Sequence, residues 1–303
     1  MNKKYRIAFN SLSLLVTVIS FLYVGKAVKK VVADQNLVQL FYDDIGVAPL
    51  SVLFFILAVV YSGFCWRLLF KLDLKVYRVI SMYMSIWGLK YVPGQLGTTF
   101  GKVKWGYEHE IAESSIVKKI IIEHAFISIS SLILSVPLIF VVSNYFELIE
   151  NYLSNEHLAM LISLLLVLCL VGLVYGVSSA KSRLKTIITA LWSPKKMFHF
   201  SVARYFNGIG FCLIVYDVFD YLPAPFVIVC AIYIFASLVG LLAFLVPGGF
   251  GVREATMLFL LGTCIGVPQD LVIKVTLLSR AYSLLADSIT WLIGMFLTNI
   301  RSL

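Results

Sequence analysis

Several stretches of about 18 or more mostly apolar residues run through this chain, and a stretch of that length can cross a lipid bilayer as a helix. The composition agrees, because 60% of the 303 residues are hydrophobic and only 14% are charged. Inside a bilayer every backbone N–H and C=O must be bonded within the protein, and apolar segments of this length achieve that as α-helices. The sequence therefore predicts an all-α, polytopic integral membrane protein whose residues 1–303 form a single transmembrane domain.

Lys and Arg residues lie in the short loops between the apolar stretches, as they do in the cytoplasmic loops of membrane proteins. Basic residues precede the first stretch at Lys3, Lys4 and Arg6, and Arg301 ends the last one. Both termini are therefore expected in the cytoplasm and the protein in the cell membrane. The formal net charge of +9 is explained by these loops, so nucleic acid is not an expected partner. The predicted spans are residues 7–26, 47–70, 119–142, 158–178, 201–218 and 271–298.

Two apolar segments are interrupted by Pro-Gly sequences, KYVPGQLGTTFGK at 90–102 and FLVPGGFGVREA at 244–255. The apolar part before the first break is about 14 residues long, which is short for a span and suits a re-entrant helix pair. The region around the second break, 226–268, could be re-entrant or could cross fully. Each break therefore predicts a half-helix that ends at the proline and a new helix that begins beyond it.

The sequence after the first break also corresponds to the sequence after the second. IVKKIIIEHAFISISS at 116–131 aligns with VIKVTLLSRAYSLLAD at 272–287, at a separation of about half the chain. The two pseudo-repeat halves are about 1–150 and 151–303, and the charge pattern of the loops orients them oppositely. An inverted repeat with broken helices is typical of transporters.

Broken helices at membrane depth are tolerated only where they are buried in protein or line a wet cavity. The helix after each break offers free N–H groups that attract anions, and an ionisable residue within a span is by default functional. The predicted lipid- or anion-binding residues are Lys90, Pro93, Gly94, Lys102, Pro247, Gly248, Gly249, Gly251, Arg253 and Arg280. The predicted charge-balancing or proton-coupling residues are Glu123, Glu254 and Asp287.

Purely structural roles for these charges remain open at this stage. Lys90 and Lys102 could extend to the membrane interface, as long basic side chains do. Arg253 or Glu254 could form a structural pair with Asp287 or Arg280. The histidines and cysteines show no metal-ligand spacing, and no nucleotide-binding or catalytic motif is found. We therefore expect no cofactor, no metal and no enzymatic activity.

The two break regions carry a family resemblance. GLKYVPGQLGTTFGK with the following IIIEHA, and FLVPGGFGVREA, resemble the signature regions of the flippase-like family. This family comprises the transmembrane region of lysylphosphatidylglycerol synthetases and its stand-alone relatives. The resemblance implies movement of lipid between leaflets, in the context of cell-envelope polysaccharide or glycolipid pathways. In the full-length synthetases this transmembrane region is fused to a soluble domain that transfers the aminoacyl group. The resemblance covers the transmembrane region, so aminoacyl transfer is not expected here.

The predicted function is translocation of an anionic or phosphate-bearing lipid, which would be a phospholipid, a polyprenyl phosphate or a glycolipid. The alternative is a non-transporting membrane subunit that scaffolds a glycosyltransferase or a polysaccharide pathway, with the basic loop 179–200 as its docking surface. A carrier of small solutes or ions is a third hypothesis. The expected partners are membrane lipid and, for the alternative, envelope-biogenesis proteins.

Overall fold

The computed structural model describes residues 46–70, 75–91, 96–143, 193–243, 249 and 251–299. Every regular element in these ranges is helical, which confirms the all-α prediction. The helices are α1 (Ala48–Arg67), α2 (Val76–Trp87), α3 (Leu96–Glu108), α4 (Glu113–Leu134), α5 (Pro194–Phe219), α6 (Phe226–Leu242), α7 (Val252–Met257) and α8 (Gln269–Asn299). A 3-10 turn, Gly88–Tyr91, follows α2, and a π-helical segment, Leu258–Cys264, continues α7. The predicted spans 7–26 and 158–178 lie outside the described residues.

Three of the described helices, α1, α5 and α8, are long and apolar enough to cross a membrane. The bounds of α1 and α8 agree with the predicted spans 47–70 and 271–298. In contrast, α5 begins at Pro194, earlier than the predicted residue 201. Proline favours the first turn of a helix because its φ is already helical and its missing N–H would have no helical acceptor there. Lys195 and Lys196, predicted in a cytoplasmic loop, therefore lie in the first turn of α5.

The predicted span 119–142 is wrong in its bounds. Helix α4 begins at Glu113 and ends at Leu134, and a turn at 135–137 separates it from a short helical stretch at 138–143. Pro137 explains the interruption, because a proline has no N–H to donate and its ring clashes with the carbonyl four residues earlier. Ser135 adds to the helix end by donating its hydroxyl to the Ser131 carbonyl at 2.7 Å.

The described elements follow the same order around both Pro-Gly sequences. One helix precedes each break, another follows it, and a longer helix comes next: α2, α3 and α4 around the first break, α6, α7 and α8 around the second. The aligned segments 116–131 and 272–287 fall in α4 and α8. The correspondence that the sequence shows therefore extends to the order of the helices.

Helices from the two halves pack directly against each other, with α8 along α2 and α1, and α5 along α1 and α4. The α8–α2 crossing is close at Gly294, where an added Cβ would lie 2.3 Å from the Ser85 nitrogen. Small residues permit such approaches between membrane helices. At the α1–α5 crossing, the Ser51 hydroxyl donates to the Gly210 carbonyl at 2.8 Å.

The buried apolar residues form two clusters. One cluster is built mainly from α1 to α4 and includes Trp66, Ile116 and Phe126. The other is built mainly from α5, α6, the π-helical segment and α8, and includes Phe211 and Leu261. Polar and charged side chains lie between these clusters, around an internal cavity.

Candidate functional site

A cavity of about 200 Å³ lies inside the helical bundle, and each of the eight helices contributes at least one side chain to its wall. The residues that flank the two breaks meet here. Lys90 and Thr98 stand on either side of the first break, and Gly249 and Arg253 border the second. The chain segments next to both Pro-Gly sequences therefore face one interior space.

The cavity brings together most of the predicted site residues that the structure describes. Its wall includes Lys90, Lys102, Glu123, Gly249, Arg253, Arg280 and Asp287. Glu254 lies beside the wall, with its Oε1 3.8 Å from Arg280 Nη1. Pro93, Gly94, Pro247 and Gly248 lie outside the described residues.

Lys102 and Glu123 form a buried ion pair that joins α3 to α4. Their Nζ and Oε2 atoms are 2.5 Å apart, and Lys102 is only 5% exposed. The Tyr83 hydroxyl donates to the other oxygen of Glu123 at 3.0 Å. The ammonium also lies 4.6 Å from the ring centroid of Trp66, a distance at which an aromatic face attracts a cation. The alternative in which Lys102 extends to the membrane interface is thus wrong.

Lys90 and Asp287 form a second ion pair, with Nζ and Oδ2 2.7 Å apart. The Trp87 indole donates to Oδ1 of the same carboxylate at 2.6 Å. Lys90 Nζ also lies 4.5 Å from the Trp87 ring centroid. The Asp287 carboxylate therefore fixes the end of α2 and the 3-10 turn against α8.

Glu254 holds the start of α7 in addition to its pairing with Arg280. The Gly251 N–H donates to Glu254 Oε2 at 2.7 Å, and Gly251 adopts a φ of 81°, which glycine tolerates best. The sequence predicted that the first N–H groups after the break would be free for an anion, but this one is bonded to the protein's own carboxylate. Of the pairings that the sequence left open for Glu254, the structure places the carboxylate within ion-pair distance of Arg280, at 3.8 Å.

Arg204 on α5 lines the cavity and is absent from the predicted set. Its Nη2 donates to the Ser62 hydroxyl at 3.2 Å, and its buried Nε has no hydrogen-bond partner. The sequence does contain a signal for Arg204. This arginine falls within the predicted span 201–218, and an ionisable residue inside a membrane span is by default functional.

Arg253 has a similar environment on α7. Its Nη2 donates to the Tyr233 hydroxyl at 2.8 Å, its guanidinium lies 4.4 Å from the Tyr233 ring centroid, and its buried Nε has no hydrogen-bond partner. In the part of the chain that the structure describes, no carboxylate lies within ion-pair distance of Arg204 or Arg253.

The charges of the site do not balance. Among the residues that the structure describes, five Lys and Arg side chains face the cavity, and three carboxylates stand in or beside its wall. These Lys, Arg, Asp and Glu side chains leave a net charge of +2. The cations are Lys90, Lys102, Arg204, Arg253 and Arg280. A buried excess of positive charge with oriented N–H donors is suited to holding an anion.

Comparison with known proteins gives no match: no protein-family model matches the chain, and no curated protein does.

Proposed function

We propose that the protein is a non-enzymatic translocase of the cell membrane that moves an anionic or phosphate-bearing lipid between leaflets. The observation that carries this proposal is a cavity with an excess of two positive charges among the described residues, lined by helices of which three can cross a membrane. Charge placed inside the bundle supports the class, a membrane translocase. The sign and surroundings of that charge support an anionic substrate.

The charge favours an anionic ligand for an energetic reason. Each ionisable residue at the centre of a membrane costs at least about 2.5–3.5 kcal/mol on insertion scales, so such residues need partners. Arg204 and Arg253 reach only hydroxyl oxygens among the described residues. Arginine presents its donors as a planar fork that fits two oxygens of a phosphate or carboxylate. A ligand with those oxygens would supply the missing acceptors.

The size and lining of the cavity favour a lipid headgroup. Its volume of about 200 Å³ lies below the roughly 300–1,000 Å³ typical of drug-sized ligand pockets. Apolar side chains such as Phe55, Ala58 and Val59 share the wall with the charges. A small polar headgroup would occupy the cationic part, while the acyl or prenyl chains stay among apolar side chains and lipid.

Two features of the chain support a transporter architecture. The helices follow the same order around both breaks, and the flanks of both breaks border the cavity. We propose that the two halves are inverted repeats whose Pro-Gly segments are re-entrant, an arrangement that allows alternating access around a central site. The break motifs support membership of the flippase-like family. With no nucleotide motif in the sequence, the driving force would be a gradient or downhill flow.

Translocation in proteoliposomes tests the proposal. Purified protein is reconstituted with fluorescent phosphatidate, phosphatidylglycerol or polyprenyl phosphate, and the fraction of lipid reaching the outer leaflet is followed over time. The wild type should move at least one of these lipids, Arg253→Gln should slow it strongly, and Arg78→Gln, at an exposed position on α2, should not. No movement of any of them, by protein shown to be folded, would reject the proposal.

Variants tested in cells distinguish the scaffold alternative from translocation. If neutralising Lys195 and Lys196 abolishes the cellular function while Arg253→Gln preserves it, the protein acts by docking. Both lysines lie in the first turn of α5, and Lys195 is exposed.

A further inference from the structure

The five cations of the cavity fall into two groups. Three of them lie within ion-pair distance of a carboxylate: Lys102 with Glu123, Lys90 with Asp287, and Arg280 with Glu254. Arg204 and Arg253 contact hydroxyl groups instead, those of Ser62 and Tyr233. The net charge of +2 therefore resides on these two arginines.

We propose that Arg204 and Arg253 together form a binding site for a phosphate monoester in its dianionic form. This inference rests on the proposed function and narrows its substrate, because a monoester lipid carries an unsubstituted terminal phosphate, whereas most membrane phospholipids are diesters. A soluble phosphate monoester carries the same unsubstituted phosphate. The proposed site is therefore defined by that phosphate, whether its source is a lipid or a soluble molecule.

Charge is the first argument. A phosphate monoester carries about −1.5 to −2 charge at pH 7, because its second pKa is about 6. A phosphodiester carries a single negative charge. An uncompensated charge in a buried site is strongly unfavourable. A dianionic monoester would neutralise the whole net charge of +2, whereas a diester would neutralise half of it. The monoester should therefore bind more tightly.

Geometry is the second argument. Nε of Arg204 and Nε of Arg253 are both buried and both lack a hydrogen-bond partner. A buried donor without an acceptor is unfavourable. Each Nε and its neighbouring Nη form an edge that can grip two oxygens. A monoester has three terminal oxygens, enough for both arginines to bond, and the Ser62 and Tyr233 hydroxyls stand beside them.

Volume is the third argument. The cavity of about 200 Å³ far exceeds the roughly 10–15 Å³ that a single water molecule needs. A phosphate group with a few further atoms therefore fits this space. Phosphatidate and polyprenyl monophosphate meet the size and charge criteria together.

Binding of two matched soluble probes tests the site. Methyl phosphate is a monoester and dimethyl phosphate a diester of nearly the same size, and their binding to detergent-purified full chain is measured by calorimetry. At pH 7.5 methyl phosphate should bind at least about tenfold more tightly, and the difference should shrink at pH 5, below the second pKa of the monoester. Equal affinities at pH 7.5 would overturn the proposal.

Variants locate the binding. Arg204→Gln and Arg253→Gln should each weaken methyl phosphate binding about tenfold to hundredfold, the effect of losing a charged hydrogen-bond donor. Arg78→Gln should leave the affinity unchanged. If a glutamine variant fails to fold, Arg204→Lys or Arg253→Lys keeps the charge, loses the fork, and should still weaken binding. Unchanged affinity in folded variants at both positions would refute the site.

Membranes of defined composition identify the source of the phosphate. Protein in nanodiscs that retains phosphatidate in preference to phosphatidylglycerol assigns the site to a lipid, and binding of methyl phosphate without such a preference assigns it to a soluble monoester. Either result supports the monoester site.

Methyl phosphate binding with no lipid translocation would reject the proposed function and keep the site. Equal translocation of monoester and diester lipids, with equal binding of the two probes, would keep the function and reject the site.

Discussion

Lys90 Nζ lies 2.7 Å from Asp287 Oδ2, so the segment before the first Pro-Gly break is tied to the last described helix of the chain. The contact spans the two halves, since Lys90 precedes the break at 93–94 and Asp287 lies on α8. The Trp87 indole bonds to the same carboxylate. One aspartate thus receives two donors from the first half of the chain.

Asp287→Asn should destabilise the fold by about 1–3 kcal/mol. The change removes the negative charge beside Lys90, and losing one partner of a buried pair is strongly unfavourable, although the partial exposure of Lys90 reduces the effect. The free energy of unfolding in mixed micelles measures it. Asp270→Asn, an exposed position in the first turn of the same helix, should change stability by less than about 1 kcal/mol. Equal effects at both positions would show that the Lys90 contact is absent.

The buried and exposed ion pairs of α3 offer a direct comparison. Lys102→Met should destabilise by about 3–5 kcal/mol, because it leaves Glu123 buried and unpaired. Lys104→Met breaks the pair with Glu108, which is exposed and 3.9 Å long, and should change stability by no more than about 0.5 kcal/mol. The double variant Lys102→Met/Glu123→Gln should recover part of the loss. Chemical unfolding of the four proteins provides the data, and a small effect of Lys102→Met alone would place that lysine outside the core.

The α8–α2 crossing depends on a glycine. Gly294→Ala should destabilise by about 1–3 kcal/mol, because the added Cβ would lie 2.3 Å from the Ser85 nitrogen and the helices would have to separate. At Gly262 an added Cβ would meet its nearest neighbours at 4.0 Å. Gly262→Ala should therefore leave the apparent unfolding temperature unchanged or raise it. If Gly294→Ala is equally harmless, the two helices do not cross at this point.

Removal of the cap on α7 should loosen the second break. Glu254→Ala deletes the acceptor of the Gly251 N–H and the carboxylate beside Arg280, and a lost cap costs about 0.5–2 kcal/mol. Glu254→Gln keeps an acceptor oxygen and should lose less stability. It also removes a negative charge from the site, so anion binding should become tighter. Thermal unfolding with and without methyl phosphate separates the two effects, and weaker binding by Glu254→Gln would contradict the assigned role.

The sequence predicted the elements that depend on local signals. Apolar length placed α1 and α8, and the Pro-Gly sequences placed the breaks between α2 and α3 and between α6 and α7. The early start of α5 at Pro194 and the interruption at Pro137 also have local causes. Lys195 and Lys196 were assigned to a loop, which concealed the first, and the apolar pattern continues past Pro137, which concealed the second.

The composition of the site was only partly predictable. The rule that a charge inside a span is functional selected Lys102, Arg253 and Arg280, and the same rule applied to the 201–218 span would have added Arg204. The choice of partners was not predictable. Lys102 pairs with Glu123, 21 positions away in sequence, because α3 packs against α4, and such a contact follows from tertiary packing.

Photocrosslinking from inside the cavity tests the central claim most directly. Ser237 lines the cavity, and Ser288 is exposed on α8. Each is changed to cysteine and labelled with a small photoreactive group in membranes of mixed phospholipids, and crosslinked lipids are identified by mass spectrometry. The account predicts that the Ser237→Cys label captures anionic, phosphate-bearing lipid far above its share of the membrane, while the Ser288→Cys label captures lipids in proportion to their abundance. Capture of no lipid from Ser237→Cys, or of the bulk mixture, would contradict it.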